Sequence, residues 1–225
     1  MARAILEVRD LWVGDGPGAA VQGVSFTVGP GQVFGVLGGP EAGKSRLLRC
    51  VGLDYPPTAG GIYFRGDEIS GVGPDRRRQI RARDIELVHP PAPEGTRDST
   101  VERGRSALLV APRRQATVPV AGMRQRIQIA KALTNGTQVL LLDEPFAGVE
   151  PQVRRRIEEL LQRLREEVGA AVVIATRDPE VCGRLAHDLL VLRDGEPVDR
   201  GTTTGVLEQP ADARRWGLAE ERRTA

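Results

Sequence analysis

The sequence predicts an α/β domain with a mainly parallel sheet flanked by helices. Two observations carry that prediction. Apolar runs at 33–37, 139–142 and 171–175 read as buried strands. Helical periodicity fills the intervals between them, most clearly at 123–133 and 153–168. Strands that alternate with helices in this way build a parallel sheet with helices on its faces.

The elements follow in order. Ala4–Val8 and Val24–Val28 have the composition of short strands. Gly29-Pro30-Gly31 is a tight turn before the buried strand Val33–Leu37. That strand runs into Gly38-Gly39-Pro40, and a helix is expected from Gly43 to about Cys50. Residues 56–61 form a loop, and Ile62–Phe64 a further strand. Residues 74–83, PDRRRQIRAR, open on a Pro-Asp turn and continue as a basic helix. No aromatic residue interleaves with its arginines, so the expectation is a solvated face and no nucleic acid. Ile85–Val88 is a strand candidate. Residues 90–117 are poor in apolar residues and contain Pro90, Pro91, Pro93 and Pro112.

Met123, Ile127, Ala130 and Leu133 recur at helical spacing and predict one buried face. Val139–Leu142 reads as a central strand. Pro151 suits a first helical position, where its missing N–H has no intrahelical acceptor to lose. Val153, Ile157, Leu160, Leu161, Leu164 and Val168 line one side of the helix that follows. Ala171–Ala175 is another buried strand. Leu189–Leu192 and Pro197–Asp199 flank Asp194-Gly195, the signature of a hairpin. Residues 1–210 are expected to form one domain, and 211–225 a polar, Arg-rich tail, mobile or loosely helical.

Composition narrows the function classes. The chain has 225 residues and a formal net charge of +2, so nothing global demands a polyanionic partner. Cys50 and Cys182 match no metal spacing and are expected as free thiols in a reducing cytosol. The opening MARAILEVRD has no apolar signal core, and the longest apolar run, Ala170–Ala175, is too short to span a bilayer. The expectation is a cytoplasmic chain that reaches the inner face of the cell membrane, if at all, through a partner.

GGPEAGKS, residues 38–45, fits the phosphate-binding pattern G-x-x-x-x-G-K-[ST], with a strand before it and a helix after it. Its glycines let several backbone N–H groups face one point, and the helix N-terminus adds partial positive charge there. Gly38, Gly39, Pro40, Glu41, Ala42, Gly43, Lys44, Ser45 and Arg46 are therefore the candidate nucleotide contacts. Lys44 would reach the β- and γ-phosphates, and the Ser45 hydroxyl would hold Mg²⁺. VLLLDEP, residues 139–145, supplies the second half. A buried strand ending in an acid places Asp143 at the carboxyl edge of the sheet, where ligands bind in such folds. Asp143 would hold Mg²⁺ through water, and Glu144 could orient or deprotonate the attacking water.

At these residues the chain resembles the ATP-binding cassette (ABC) ATPases, which have a P-loop NTPase core. The resemblance runs through LEVRDL, VSFTVGPGQ, GGPEAGKS, GMRQRIQIAKAL, VLLLDEP, AVVIATRD and LRDGEPVDRG, nearly the whole length. It is strongest to peptide/nickel importer ATPases and to the ATP-binding subunit of the carbon–phosphorus lyase system. The resemblance implies an N-terminal antiparallel β-subdomain, and a helical subdomain shortened here to about 90–134. ATP and Mg²⁺ are the implied cofactors. The implied partners are a second ABC ATPase subunit, paired head to tail, and a transmembrane permease or enzyme-complex subunit.

The resemblance also marks departures. The signature serine and first signature glycine are replaced by Val120 and Ala121, leaving Gly122. The Q-loop glutamine position is Pro90, and the D-loop aspartate is Glu150. The switch histidine is Arg177, a fixed cation that can bind phosphate but cannot exchange a proton near neutral pH. Trp12 is the nearest aromatic to the position that stacks on adenine, and it reads rather as a strand core residue. Triphosphate binding rests on groups that are kept, whereas loss of one transition-state contact costs about 10²–10³ in rate. The expectation is Mg·ATP binding with slow or partner-dependent turnover. The alternative is a subunit that binds nucleotide without hydrolysing it.

Overall fold

The computed structural model describes residues 3–14, 20–90, 123–208 and 216–218. Alternation shapes the first two strands. Leu6, Val8, Leu11 and Val13 are buried in β1 (Leu6–Val13), and Val21, Val24, Phe26 and Val28 in β2 (Val21–Val28). β1 pairs antiparallel with β2 on one side and with β4 (Ala59–Phe64) on the other, and β5 (Asp67–Glu68) continues the sheet. This is the antiparallel N-terminal subdomain that the resemblance implied. β1 runs past the expected end at Val8, because a register shift between Val8 and Leu11 interrupts the alternation without ending the strand. Asp10 sits there at φ 42, and its N–H donates to Ser25 Oγ at 2.8 Å. Trp12 is only half-buried, on the side of β1 away from Leu11 and Val13, so its reading as a core residue is corrected.

The buried runs form the centre of a second sheet. Its strands are β3 (Val33–Leu37), β6 (Ile85–Val88), β7 (Val139–Asp143), β8 (Ala171–Thr176), β9 (Asp188–Arg193) and β10 (Glu196–Thr202), in the order β10-β9-β3-β8-β7-β6. All neighbours are parallel except β10, which returns antiparallel along β9 after the Asp194-Gly195 turn. The period of two along each strand divides the core. Val139, Leu141, Ala171 and Val173 face the layer made with the antiparallel sheet and α1 (Lys44–Val51). Leu140, Leu142, Val172 and Ile174 face the opposite layer. Phe26 and Phe34 stack between the two sheets with ring centroids 4.6 Å apart.

α2 (Pro74–Arg83) is the expected basic helix, with only Ile80 buried. α3 (Met123–Asn135) forms where its periodicity placed it, and Leu133 of the expected face packs against the core, but the buried stripe is rotated away from Ile127. Ile127, expected inside, is 60% exposed, while Ile129 and Ala132 are buried against Val88, Leu140 and Leu142. Both stripes have helical spacing, and the β6–β7 surface selects between them. α4 (Pro151–Arg163) buries Ile157 and Leu161, and a π-helical turn, Leu164–Val168, carries the same face to Gly169. α5 (Pro179–Leu185) and α6 (Thr203–Leu207) were not foreseen; each is about two turns or less, too short for periodicity to reveal. Cys50 and Cys182 are free and buried, and burial pushes each thiol up to about 12.

Most of the helical subdomain expected at about 90–134, including Val120, Ala121 and Gly122, lies outside the described residues. The tail beginning at 211 is not uniformly polar in role: Trp216 is 5% exposed, packed in a cluster with Leu37, Leu189 and Val191. Among the described residues no helix is long and apolar enough to cross a membrane.

Candidate functional site

Strand register brings the predicted site together. Leu37 of β3 pairs with Thr176 of β8, Ala175 with Asp143 of β7, and Leu142 with Val88 of β6. The residues that follow each strand therefore leave from one edge of the sheet. These are the loop 38–43, Arg177, Glu144, and His89-Pro90. Carboxyl edges of this kind are where open α/β sheets bind ligands.

The loop after β3 wraps the N-terminus of α1. Gly43 sits at φ 95, and Leu47 N–H donates to its carbonyl at 2.9 Å, starting the helix. A methyl added at Gly43 would collide with the Ala20 carbonyl oxygen, so only glycine fits. The loop opens on a cleft of about 590 Å³ whose lining includes residues 41–46, Ala20, Asp194 and Gly195. Gly38 and Gly39 lie buried behind it, Pro40 and Glu41 at its exposed rim. Arg46 is exposed, with its carbonyl taken by the Tyr55 hydroxyl at 2.8 Å. Lys44 is 6% exposed and folds back over the loop: Nζ donates to the carbonyls of Gly38 at 2.7 Å and Gly39 at 2.8 Å. Burial lowers its pKa, and the carboxylates of Glu144 and Asp143 oppose that shift.

Asp143 is 3% exposed. Burial raises its pKa, and a hydrogen bond from Ser45, with the charges of Lys44 and His89, pulls it back down in part. Among the described residues its buried Oδ1 has no hydrogen-bond partner. A buried carboxylate oxygen left unsatisfied beside a serine hydroxyl fits a divalent cation, which would take both as ligands. Among the described residues no three His, Cys, Asp or Glu side chains cluster. A cation here would draw its remaining ligands from water and phosphate, as Mg²⁺ does.

Glu144 follows at φ 46, a conformation sparsely populated by side-chain-bearing residues, its N–H held by the Ala175 carbonyl at 2.9 Å. Its Oε1 meets two cations, Lys44 Nζ and Arg177 Nε, each at 3.6 Å. Its Oε2 accepts from Arg177 N–H at 3.4 Å. Arg177 thus stands beside the candidate base, with a side chain 58% exposed. Pro90 is exposed at the same edge and Glu150 is exposed at the start of α4.

Two parts of the site were not legible in the sequence. Asp194-Gly195 read only as a hairpin turn, yet Gly195 N–H donates to Ala42 O at 3.3 Å and its carbonyl accepts from Gln22 N–H at 2.8 Å. The hairpin tip is therefore tied to both the phosphate loop and β2. The second part is Gly217, whose carbonyl lies against the Cα of Gly39. Neither carries a local signal, since both depend on how distant segments meet.

The ABC transporter family pattern matches residues 21–147, which include the phosphate loop, Asp143 and Glu144. A putative phosphonates utilization ATP-binding protein, PhnK of Escherichia coli, is 28% identical over 93% of this chain and 94% of its own length. A methionine import ATP-binding protein, MetN 2 of Shouchella clausii, is 30% identical over 84% of this chain, which spans 62% of that protein. A solved dimeric ATP-binding cassette bound to ADP and Pi superposes with a TM-score of 0.69 at 23% identity, over 88% of this chain and 98% of that one, and so agrees in fold. With more than half of its length matched, the chain belongs to the ABC transporter family.

Proposed function

We propose that this chain is a nucleotide-binding subunit that binds Mg·ATP and couples it to a transporter or a multi-subunit enzyme. The observation that supports this most is the convergence of Lys44, Ser45 and Asp143 at the sheet edge where the loop 38–43 wraps α1. Backbone N–H groups of the loop and Lys44 would hold the phosphates, once Nζ leaves the Gly38 and Gly39 carbonyls. Ser45 and Asp143 would hold Mg²⁺, which neutralises charge on the β- and γ-phosphates when bound. Glu144 would orient a water in line with the γ-phosphate and take its proton. Arg177 would bring a positive charge near the phosphate oxygens, but its pairing with Glu144 would outweigh that and restrain the base.

Turnover is proposed to be slow or dependent on a partner. Glu144 is held between two cations, and Pro90 brings no amide to the water. These features also support a second reading, a subunit that binds nucleotide to stabilise an assembly without hydrolysing it. We place the chain in the cytoplasm, working head to tail with a second ABC ATPase subunit and at the membrane only through a partner. The near full-length match to the phosphonates utilization relative keeps a lyase-type assembly beside an importer as the setting. The choice of cargo would sit in the partner subunit.

Mg·ATP affinity and phosphate release, measured for the wild type and Glu144→Gln, alone and with candidate partner subunits, test the proposal. Binding with turnover above background, lost in Glu144→Gln, is expected. Binding that persists with background turnover in every mixture would leave only the assembly reading.

A further inference from the structure

We propose that Trp216-Gly217-Leu218 is a brace that positions the phosphate loop, tying the C-terminal segment to nucleotide occupancy. The proposal rests on the nucleotide reading above. Three observations carry it. Trp216 is buried in one apolar cluster with Leu37, the last residue of the strand that feeds the loop. From that anchor the chain turns through Gly217, at φ 69, and its carbonyl comes up behind Gly39 so closely that a methyl at Gly39 would clash with it. The same Gly39 accepts a hydrogen bond from Lys44 Nζ at 2.8 Å.

The consequence is mechanical. To reach a phosphate, Lys44 must release the Gly38 and Gly39 carbonyls. The Gly39 peptide then loses that restraint while keeping its close contact with the Gly217 carbonyl. Close-packed interiors have few voids, so a shift of Gly39 is passed to Gly217 and to the indole beside it. Trp216 and Gly217 are positioning residues: they touch the loop and leave the nucleotide to it. The Trp216 Nε1 has no hydrogen-bond partner among the described residues. Among the described residues packing holds the ring, and its emission will register small changes in that packing.

The chain has two tryptophans, so Trp12→Phe leaves Trp216 as the sole indole emitter. In that background, Trp216 emission is followed during Mg·ATP titration, with calorimetry on the same samples. A saturable emission change with the calorimetric midpoint, absent in Lys44→Ala, is expected. In the wild-type background, Trp216→Ala is expected to weaken Mg·ATP binding about tenfold or more, with Trp216→Phe restoring most of it. Gly39→Ala is expected to weaken binding less in the Trp216→Ala chain than in the wild type, because an unfastened Gly217 can move away from the added methyl. Binding with silent Trp216 emission, or a folded Trp216→Ala chain with undiminished affinity, overturns the brace and leaves the nucleotide reading standing. If Trp216→Ala does not fold, the emission titration decides alone. No calorimetric binding by the wild type overturns the nucleotide reading, and the brace falls with it.

Discussion

The loop after β3 and the loops after β6, β7 and β8 leave the same edge of one sheet, yet they differ in how completely they meet the chemistry asked of them. The first keeps what a phosphate cradle needs: Gly43 at positive φ, a helix N-terminus, Lys44 and Ser45. The others keep both acids, Asp143 and Glu144, but set Pro90 and Arg177 around them. Cradling a phosphate draws on many backbone dipoles fixed by the fold. Positioning a water draws on a few side chains, each of which can be exchanged without disturbing the sheet. On the proposed reading binding and turnover rest on different loops, and substitutions at the two kinds of loop should separate them.

The largest expected effect is on turnover. Glu144→Gln removes the candidate base while keeping its shape, and phosphate release should fall by about 10²–10⁴ with Mg·ATP affinity in the wild-type range. Unchanged release would mean that the edge after β7 takes no part in turnover. Next in size is Lys44→Ala. Charged hydrogen bonds are worth about 1.5–3 kcal/mol, so calorimetric Mg·ATP affinity should drop about 10- to 150-fold. Undiminished affinity would remove the phosphate loop from the site.

The same division describes what the sequence disclosed. The phosphate loop, the β7 acid pair and the parallel core were legible because each is local: a motif of eight residues, or an apolar run bounded by turns. The β6 strand at 85–88 and α2 at 74–83 were legible for the same reason. What stayed hidden was relational. The stripe of α3 that faces inward is chosen by β6 and β7, so Ile127, read into the apolar face, is exposed while Ile129 is buried. A register shift inside β1 broke the alternation that would have marked its full length. Trp216 was set aside with a polar tail because its apolar partners, Leu37 and Leu189, lie far away in sequence. The Arg177–Glu144 pair was likewise beyond reach, since alignment to a family position says which residue replaces a histidine but not which carboxylate it meets.

A smaller effect tests whether Asp143 is kept for a ligand rather than for the fold. Its carboxyl, raised above 3.8 chiefly by burial, binds more protons folded than unfolded between 3.8 and its folded pKa. The stability it contributes is present below 3.8 and is lost as pH rises through that folded value. Without nucleotide and near neutral pH, Asp143→Asn should therefore be the more stable chain. A difference of 1 kcal/mol would raise Tm by about 2–4 °C in a chain of this size. The gap should close as the pH falls below 3.8, where the carboxyl is protonated both folded and unfolded. Mg²⁺ should no longer strengthen ATP binding in that variant. A variant less stable than the wild type across the range would make Asp143 a structural residue.

The smallest effect concerns Arg177. Its guanidinium meets Glu144 at 3.6 Å but is 58% exposed, so solvent and salt screen the pair. Exposed pairs are worth up to about 1 kcal/mol, and that bounds how strongly Arg177 can hold the candidate base. Arg177→His replaces a fixed cation with a ring that is mostly neutral above its pKa, loosening Glu144 from one of its two partners and leaving Lys44. Phosphate release should rise by no more than about fivefold, and the gain should shrink in high salt, where the wild-type pair is already weakened. A much larger rise would mean that the arginine blocks the water itself rather than pairing with the base. A fall would mean that its charge serves the phosphate more than it restrains Glu144, and the cradle would then extend across the sheet to the loop after β8.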